Sequence, residues 1–130
     1  MKEMESQPNQ QKILLVEDTE DNRCMMRRLL EMDGYAVVEA RNGQEAVTVA
    51  RAEKPQLILM DLSLPVIDGL AATRLLRQIR EFEQTPIIAV SAHDTADFKA
   101  EALAAGCNSY ITKPIDFGEL EELIQRLLEL

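Results

Sequence analysis

The stretch that decides the fold is Leu57-Ile-Leu-Met-Asp-Leu-Ser-Leu-Pro65, in which an apolar run leads directly into an acid and a loop. Comparable runs lie on either side of it: Lys12-Ile-Leu-Leu-Val16 leads into Glu17-Asp18, and Pro86-Ile-Ile-Ala-Val90 leads into Ser91. These runs do not alternate apolar and polar residues, which is typical of strands covered on both faces of a parallel sheet. We therefore predict central strands whose carboxyl ends carry polar side chains.

Amphipathic stretches separate these runs. Residues 20–33 carry apolar side chains at helical spacing among charges, and Gly34 is placed to cap the predicted helix. Asn42-Gly-Gln-Glu45 has the form of a capping box that opens a second helix, to about Ala52. The remaining predictions are strand two at Tyr35-Ala-Val-Val38, helix three from about Asp68 to Glu81, helix four from about Thr95 to Ala105 closed by Gly106, strand five at Ser109-Tyr110-Ile111, and helix five from Asp116 nearly to Leu130.

Strand and helix therefore alternate along the chain as (βα)5, which predicts an α/β fold with a doubly wound, parallel five-stranded sheet and right-handed crossovers. The 130 residues suit one domain. We expect that domain to span residues 12–130 and the polar segment 1–11 to be a flexible N-terminal tail.

Composition narrows the function classes. A formal net charge of −9 disfavours direct nucleic-acid binding, because the chain lacks a general surface for phosphates. No apolar run has the roughly 18 residues of a membrane span, and residues 1–11 lack the apolar core of a signal peptide. We therefore expect a cytoplasmic protein without a membrane contact.

The sulfur-containing side chains are expected to be structural. Cys24 and Cys107 lack metal-ligand spacing and are expected to be buried or half-buried thiols. The methionines at 25, 26 and 32 are expected in the core.

Polar residues at the predicted strand ends are the candidate site: Glu17, Asp18, Asp61, Ser91 and Lys113. Ligands of open parallel sheets bind at this edge. Each residue also has an ordinary interpretation: acids that favour a helix N-terminus, a turn aspartate, a capping serine and a solvated lysine. Together they could hold a divalent cation and a phosphoryl group, with the carboxylate of Asp61 as a nucleophile and Lys113 as a phosphate-binding charge. The lone His93 has no partner at metal-ligand spacing and is predicted to lie in a loop.

Four motifs in order resemble the receiver domain of two-component response regulators over about residues 12–130. They are Ile13-Leu-Leu-Val-Glu-Asp18, Met60-Asp-Leu-Ser-Leu-Pro-Val-Ile-Asp-Gly69, Ile87-Ile-Ala-Val-Ser-Ala92 and Tyr110-Ile-Thr-Lys-Pro114. The resemblance implies the flavodoxin-like strand order 2-1-3-4-5. No output domain follows helix five in this sequence, so the resemblance leads us to expect a standalone regulator of the chemotaxis or cell-cycle type.

The resemblance also implies a role for each acid. Asp61 matches the phosphoacceptor, and Asp18, Asp61 and the backbone carbonyl of Ser63 match Mg²⁺ ligands, with Glu17 acting through water. Glu17 stands where the family commonly has Asp, and its longer arm could alter the metal geometry. The cofactor implied is Mg²⁺.

The resemblance further implies a switch pair and a phosphate-binding lysine. Ser91 and Tyr110 match the pair whose hydroxyl moves toward the phosphoryl group while the ring turns inward, and Lys113 matches the lysine that pairs with phosphoryl oxygens. Ser91 stands where Thr is also common but keeps the donor. Ser63 and His93 occupy positions that in this family influence phosphoryl lifetime, which the sequence leaves open.

The predicted function is a phospho-accepting switch of a phosphorelay. A histidine kinase or histidine phosphotransfer protein donates to Asp61, and a downstream effector reads the face of helix four, strand five and helix five. Such a protein catalyses only its own phosphorylation and dephosphorylation. Alternatives are a receiver excised from a hybrid histidine kinase, a pseudo-receiver binding adaptor, and an aspartate-nucleophile phosphatase. Such a phosphatase would have the motif Asp-x-Asp at its nucleophile, whereas the residue two positions after Asp61 is Ser63. A flavodoxin-like cofactor binder is disfavoured because no phosphate loop follows strand one.

Overall fold

The computed structural model describes residues 10–62, 68–93 and 95–129. Strands and helices alternate in it, as the sequence predicts. The elements are β1 (Lys12–Val16), α1 (Glu20–Met32), β2 (Ala36–Ala40), α2 (Gly43–Glu53), β3 (Leu57–Asp61), α3 (Gly69–Arg77), a 3₁₀ helix (Arg80–Phe82), β4 (Ile87–Ser91), α4 (Ala96–Ala105), β5 (Ser109–Thr112) and α5 (Phe117–Leu128). Within these ranges, no helix is long and apolar enough to cross a membrane.

The strands form one parallel sheet in the order β2-β1-β3-β4-β5, which confirms the predicted topology. The register aligns the carboxyl ends of the strands. Val16 pairs with Met60, Asp61 with Val90, and Ser91 with Thr112. Residues that directly follow β1, β3 and β5 therefore meet at one edge of the sheet.

Alternating side chains of each strand enter one of two apolar layers, because successive strand residues point to opposite faces. One layer joins the sheet to α1 and α5, and the other joins it to α2, α3 and α4. The first contains Ile13, Leu15, Met26, Leu30, Leu57, Leu59, Ile88, Ile111, Leu120 and Ile124. The second contains Leu14, Val16, Ala46, Ala50, Ile58, Met60, Ala72, Leu76, Ile87, Ala89 and Ala102. Burial on both faces explains why the central strands read as continuous apolar runs.

Side-chain caps fix where several helices begin. The Asn42 side chain accepts a hydrogen bond from the Glu45 N–H at 2.8 Å, and the Glu45 carboxylate accepts one from the Arg41 N–H at 2.9 Å. The second bond shifts the predicted capping box by one residue. Asp68, Thr95 and Asp116 cap α3, α4 and α5 in the same way, where the sequence places these helix starts.

The predicted end of helix three is wrong. We expected it to reach Glu81, but α3 ends at Arg77 and Ile79 is extended, with φ −90° and ψ 122°. This break lets the 3₁₀ helix turn Phe82 into the core, where its side chain is 1% exposed. Strand two is also longer than predicted and ends at Ala40, because β1 continues to pair with it there.

The predicted burial of several sulfur-containing side chains is wrong as well. Cys24 is exposed, whereas Cys107 is buried as expected. Met26 lies in the core, but Met25 and Met32 are 47% and 80% exposed. The apolar stripe by which α1 packs on the sheet is narrower than the periodicity suggests, since Met26 and Leu30 are its buried residues.

Gly69 sets how closely α3 approaches the end of β3. A Cβ atom at this position would lie 2.4 Å from the Asp61 carbonyl oxygen and 2.7 Å from the Leu62 Cα. Both are backbone atoms, which do not move aside as a flexible side chain does. The absence of a side chain at Gly69 therefore allows α3 to begin directly against the main chain of Asp61 and Leu62.

We expect Gly69→Ala to destabilise the protein by about 1–3 kcal/mol, the usual range for overpacking. Urea unfolding measures this change. Gly118→Ala is the matched control, because its added Cβ would meet only the Asp116 Oδ1 at 3.4 Å, and alanine favours a helix over glycine. Equal stability of the two variants would contradict this account of Gly69.

Candidate functional site

Three acids converge at the carboxyl edge of the sheet. Glu17 follows β1 and is 3% exposed, Asp18 is exposed, and Asp61, the last residue of β3, is 3% exposed. One carboxylate oxygen from each lies within 4.8 Å of the others. The Glu17 N–H donates to the Ala40 carbonyl at 3.0 Å, which extends the pairing of β1 with β2 by one residue. The sheet therefore brings together acids that are far apart in sequence.

Lys113 reaches these acids from the loop after β5. Its N–H donates to the Ser91 carbonyl at 2.8 Å, which fixes the start of the loop. Its ammonium Nζ lies 3.2 Å from Asp61 Oδ2 and 3.8 Å from Glu17 Oε1. One ammonium among three carboxylates leaves the cluster with an excess of negative charge, as a site for a hard divalent cation requires.

The pKa of Glu17 is raised above its ordinary value. Burial is the main cause, since it disfavours the charged form. A hydrogen bond that the Thr19 N–H donates to Glu17 Oε2 at 3.1 Å works in the opposite direction, as does the charge of Lys113. The charge of Asp61 and a hydrogen bond with Asp18 raise the pKa further. The folded protein therefore holds a carboxylate here at a cost in stability.

We expect Glu17→Gln to stabilise the protein at neutral pH without Mg²⁺, by about 0.5–2 kcal/mol, the usual range for stabilising substitutions. The amide oxygen can still accept from the Thr19 N–H, while the buried charge is removed. Because the pKa is raised in the folded state, this advantage is complete above the folded-state pKa and shrinks as the pH falls through it. Urea unfolding as a function of pH measures the effect.

Glu122→Gln is the control for this experiment, because Glu122 is an exposed acid on α5. Its stability should match that of the wild type. A Glu17→Gln variant that is less stable than the wild type at neutral pH, in buffer free of divalent cations, would contradict the proposed charge penalty.

Ser91 and Tyr110 both hydrogen-bond to the backbone of His93. The His93 N–H donates to the buried Ser91 Oγ at 3.1 Å, and the Tyr110 hydroxyl donates to the His93 carbonyl oxygen. The His93 ring stacks on Phe98 of α4 with 4.6 Å between ring centroids, and Phe98 meets the Tyr110 ring edge-on. The sequence placed His93 in a loop but gave no signal for this link, because it runs through main-chain atoms.

Arg23 is a second residue that the sequence reasoning missed. Its guanidinium Nη1 donates to the Glu17 carbonyl at 3.0 Å, directly beside the acids. A cation six residues after Glu17 in an amphipathic helix was the available signal, but it does not reveal the contact. Ser63, to which the family resemblance assigns a metal-binding carbonyl, lies outside the described residues.

Comparison with known proteins decides the family. Residues 13–125 match the response regulator receiver domain. The chain is a member of the receiver-domain family. The polar-differentiation response regulator DivK of Brucella anthropi is 39% identical to it over 116 residues, which cover 89% of this chain and 94% of that protein. Receiver domains are signalling switches of two-component systems, so the predicted family and the signalling class are confirmed.

Solved structures give the same result. A putative response regulator from Chloroflexus aurantiacus superposes with a TM-score of 0.89 at 28% identity, covering 94% of this chain and 100% of that one. The receiver domain of the sensor histidine kinase PA1611 from Pseudomonas aeruginosa superposes with a TM-score of 0.87 at 37% identity, covering 93% and 99%. That structure has a magnesium ion in its active-site cleft.

The acidic cluster of this receiver fits such an ion. Receiver domains bind Mg²⁺ in their acidic site, and Mg²⁺ prefers oxygen ligands from a few carboxylates, with water and phosphate filling the other positions. Glu17, Asp18 and Asp61 offer carboxylate oxygens within 4.8 Å of one another. The donor set and its excess negative charge are therefore of the kind that Mg²⁺ prefers.

Proposed function

We propose that this receiver accepts a phosphoryl group on Asp61 from a phosphohistidine of a histidine kinase or histidine phosphotransfer protein. The observation that carries the proposal is the position of the Lys113 ammonium, 3.2 Å from Asp61 Oδ2 within the acidic cluster. A carboxylate nucleophile, a cation site and a mobile positive charge then occupy one pocket. These are the parts that phosphoryl transfer requires.

In the proposed transfer, a carboxylate oxygen of Asp61 forms a bond to phosphorus in line with the breaking P–N bond, and the donor imidazole leaves with that electron pair. Asp18, Asp61 and the Ser63 carbonyl, with Glu17 through water, would hold Mg²⁺, which would supply positive charge against the carboxylates and phosphoryl oxygens. Lys113 keeps its position after β5 and moves its ammonium from Asp61 to a phosphoryl oxygen. Charge compensation and alignment are the main contributions of the protein to such a step.

We expect Asp61→Asn to abolish labelling by acetyl phosphate in the presence of Mg²⁺, because the amide is not a nucleophile. Intact-mass spectrometry measures the labelling, and EDTA should remove it from the wild type. Asp33→Asn is the control, since Asp33 is an exposed acid at the end of α1 and should be labelled like the wild type. Labelling of Asp61→Asn to the wild-type extent would exclude Asp61 as the acceptor.

The link through His93 supports a switching role for Ser91 and Tyr110. An aspartyl phosphate adds a charge of about −1.5 to −2 and three acceptor oxygens to the pocket. The Ser91 hydroxyl would then donate to a phosphoryl oxygen, and the movement of Oγ toward that oxygen would weaken the hydrogen bond that Oγ accepts from the His93 N–H. Because the Tyr110 hydroxyl is bound to the same residue, a rearranged loop also changes what holds the Tyr110 ring. The result is a population shift in the face formed by α4, β5 and α5, which a downstream effector would read.

A groove beside the acidic cluster supports a protein donor. It has a volume of about 240 Å³ and lies between α1 and the loop that leads into α5. Its lining includes the charged residues Glu17 and Lys113 and the apolar residues Met25, Ile115 and Phe117. Met25 is 47% exposed, although an apolar side chain at this position gains nothing from contact with water. We propose that the helix carrying the donor histidine packs on this groove, which places its phosphoryl group over Asp61.

We expect Met25→Lys to slow phosphoryl transfer from a phosphohistidine protein by about tenfold, equivalent to a loss of about 1.4 kcal/mol in transition-state binding. Labelling by acetyl phosphate should stay at the wild-type rate, because that donor needs no protein contact. Rapid-quench kinetics with the two donors measure the difference. Leu75→Lys is the control, since Leu75 is also an exposed apolar residue, at 42%, but lies on α3. Parallel losses with both donors would argue against docking at this groove.

Of the other candidates, the pseudo-receiver fits the site less well. A pseudo-receiver would usually lack the lysine or one acid, whereas Glu17, Asp18, Asp61 and Lys113 are all assembled here. A receiver that forms part of a hybrid histidine kinase would use the same site chemistry, and the similarity to the PA1611 receiver is compatible with that setting. We propose the same phosphoryl acceptance in either context.

A further inference from the structure

Arg23 joins three elements beside the acidic cluster. It lies in α1 with 12% of its side chain exposed, donates from Nη1 to the Glu17 carbonyl at 3.0 Å, and donates from Nε to Glu39 Oε1 of β2 at 2.9 Å. One planar guanidinium thus holds the loop that follows β1 and the end of β2 at the same time. The planar fork of arginine suits this geometry better than the single ammonium of lysine.

The position of the Glu17 carbonyl affects both neighbouring acids. This carbonyl belongs to the peptide group that links Glu17 to Asp18, so a change in the backbone at this peptide would change how the two acids lie relative to each other. The Glu17 N–H is already fixed by its bond to the Ala40 carbonyl. The bond from Arg23 fixes the other side of the residue, and the main chain that carries two carboxylates is thereby restrained from both directions.

Glu39 in turn orients Arg23. Its other oxygen, Oε2, accepts a hydrogen bond from Nη1 of Arg27, one turn further along α1, and Arg27 also binds Glu31 at 3.0 Å. Charge-assisted bonds of this kind are stronger than those between neutral groups. The carboxylate of Glu39 also offsets the positive charge of Arg23, so this charge is not left to compete with a cation for the acids.

We propose that Arg23, held by Glu39, is a positioning residue for the Glu17–Asp18 side of the cation site. This inference rests on the proposed Mg²⁺ site. Like-charged carboxylates repel one another before a cation binds, and the backbone restraint limits how far the loop can relax away from Asp61. Arg23 contacts the main chain and leaves the carboxylate oxygens of Glu17 to Thr19, Lys113 and the cation. Groups that orient metal ligands in this way strongly affect metal affinity.

The test compares Arg23→Gln with Arg27→Gln. Both substitutions remove an arginine of α1 that binds Glu39, but only Arg23 contacts Glu17. Titration with MgCl₂ followed by backbone-amide NMR gives the dissociation constant without any phosphoryl donor, and thermal unfolding reports stability. We expect Mg²⁺ affinity to fall by about tenfold in Arg23→Gln, the lower end of the range for ligand-orienting groups, and by less than about twofold in Arg27→Gln.

Arg23→Lys separates charge from geometry. It keeps the positive charge but lacks the fork that serves both acceptors, so its affinity should stay within about threefold of that of Arg23→Gln. Recovery of wild-type affinity by Arg23→Lys would overturn the positioning role and leave a general charge effect. Equal Mg²⁺ affinities in Arg23→Gln, Arg27→Gln and the wild type would overturn it as well, even if both variants were less stable.

Glu39→Gln keeps the test decisive if Arg23→Gln does not fold. This variant retains an acceptor for Arg23 but loses the charge that holds it, and we expect Mg²⁺ binding to weaken, by less than the roughly tenfold loss expected for Arg23→Gln. Unchanged affinity in Glu39→Gln would then overturn the proposal. Absence of Mg²⁺ binding by the wild type would overturn both this inference and the proposed function, whereas normal wild-type binding with an unaffected Arg23→Gln would overturn this inference alone.

Discussion

The candidate site of this receiver depends on the crowding of like charges at one edge of a parallel sheet. Aligned strand ends place the carboxylates of Glu17, Asp18 and Asp61 within 4.8 Å of one another, and burial raises the pKa of Glu17. Lys113 compensates part of this charge. The apolar layers on both faces of the sheet supply the stability that allows the cluster to persist. Because the carboxylates are already assembled, the proposed binding of a cation requires little rearrangement.

Different parts of the chain position the charged groups of the pocket. At the end of β3, Gly69 has no side chain, and α3 can therefore begin directly against the Asp61 carbonyl. The loop after β1 is fixed by Arg23 and by the last bond to β2. The loop after β5 is fixed by the bond from the Lys113 N–H to the Ser91 carbonyl. The geometry of the pocket is therefore a property of the whole sheet edge, and mutations outside the acids can change it.

His93 connects the pocket to the outer face of the domain. Its N–H binds Ser91 at the pocket, its carbonyl binds Tyr110, and its ring stacks on Phe98 of α4. A movement of the Ser91 hydroxyl away from His93 would therefore act on a residue that also contacts Tyr110 and Phe98. This arrangement gives the proposed switch a physical route that consists of hydrogen bonds and one ring stack.

The sequence by itself determined the order of strands and helices. Apolar runs indicate the strands, and a capping residue such as Asn42 indicates where most helices begin. The sequence also predicted which acids meet, since parallel strands end at a common edge. The sequence did not predict the end of helix three, because this end depends on the burial of Phe82 in the assembled core. Tertiary structure alone decided the exposure of Met25 and the contacts of Arg23 and His93. These join residues that are separate in sequence, and their geometry exists only once the helices have packed on the sheet.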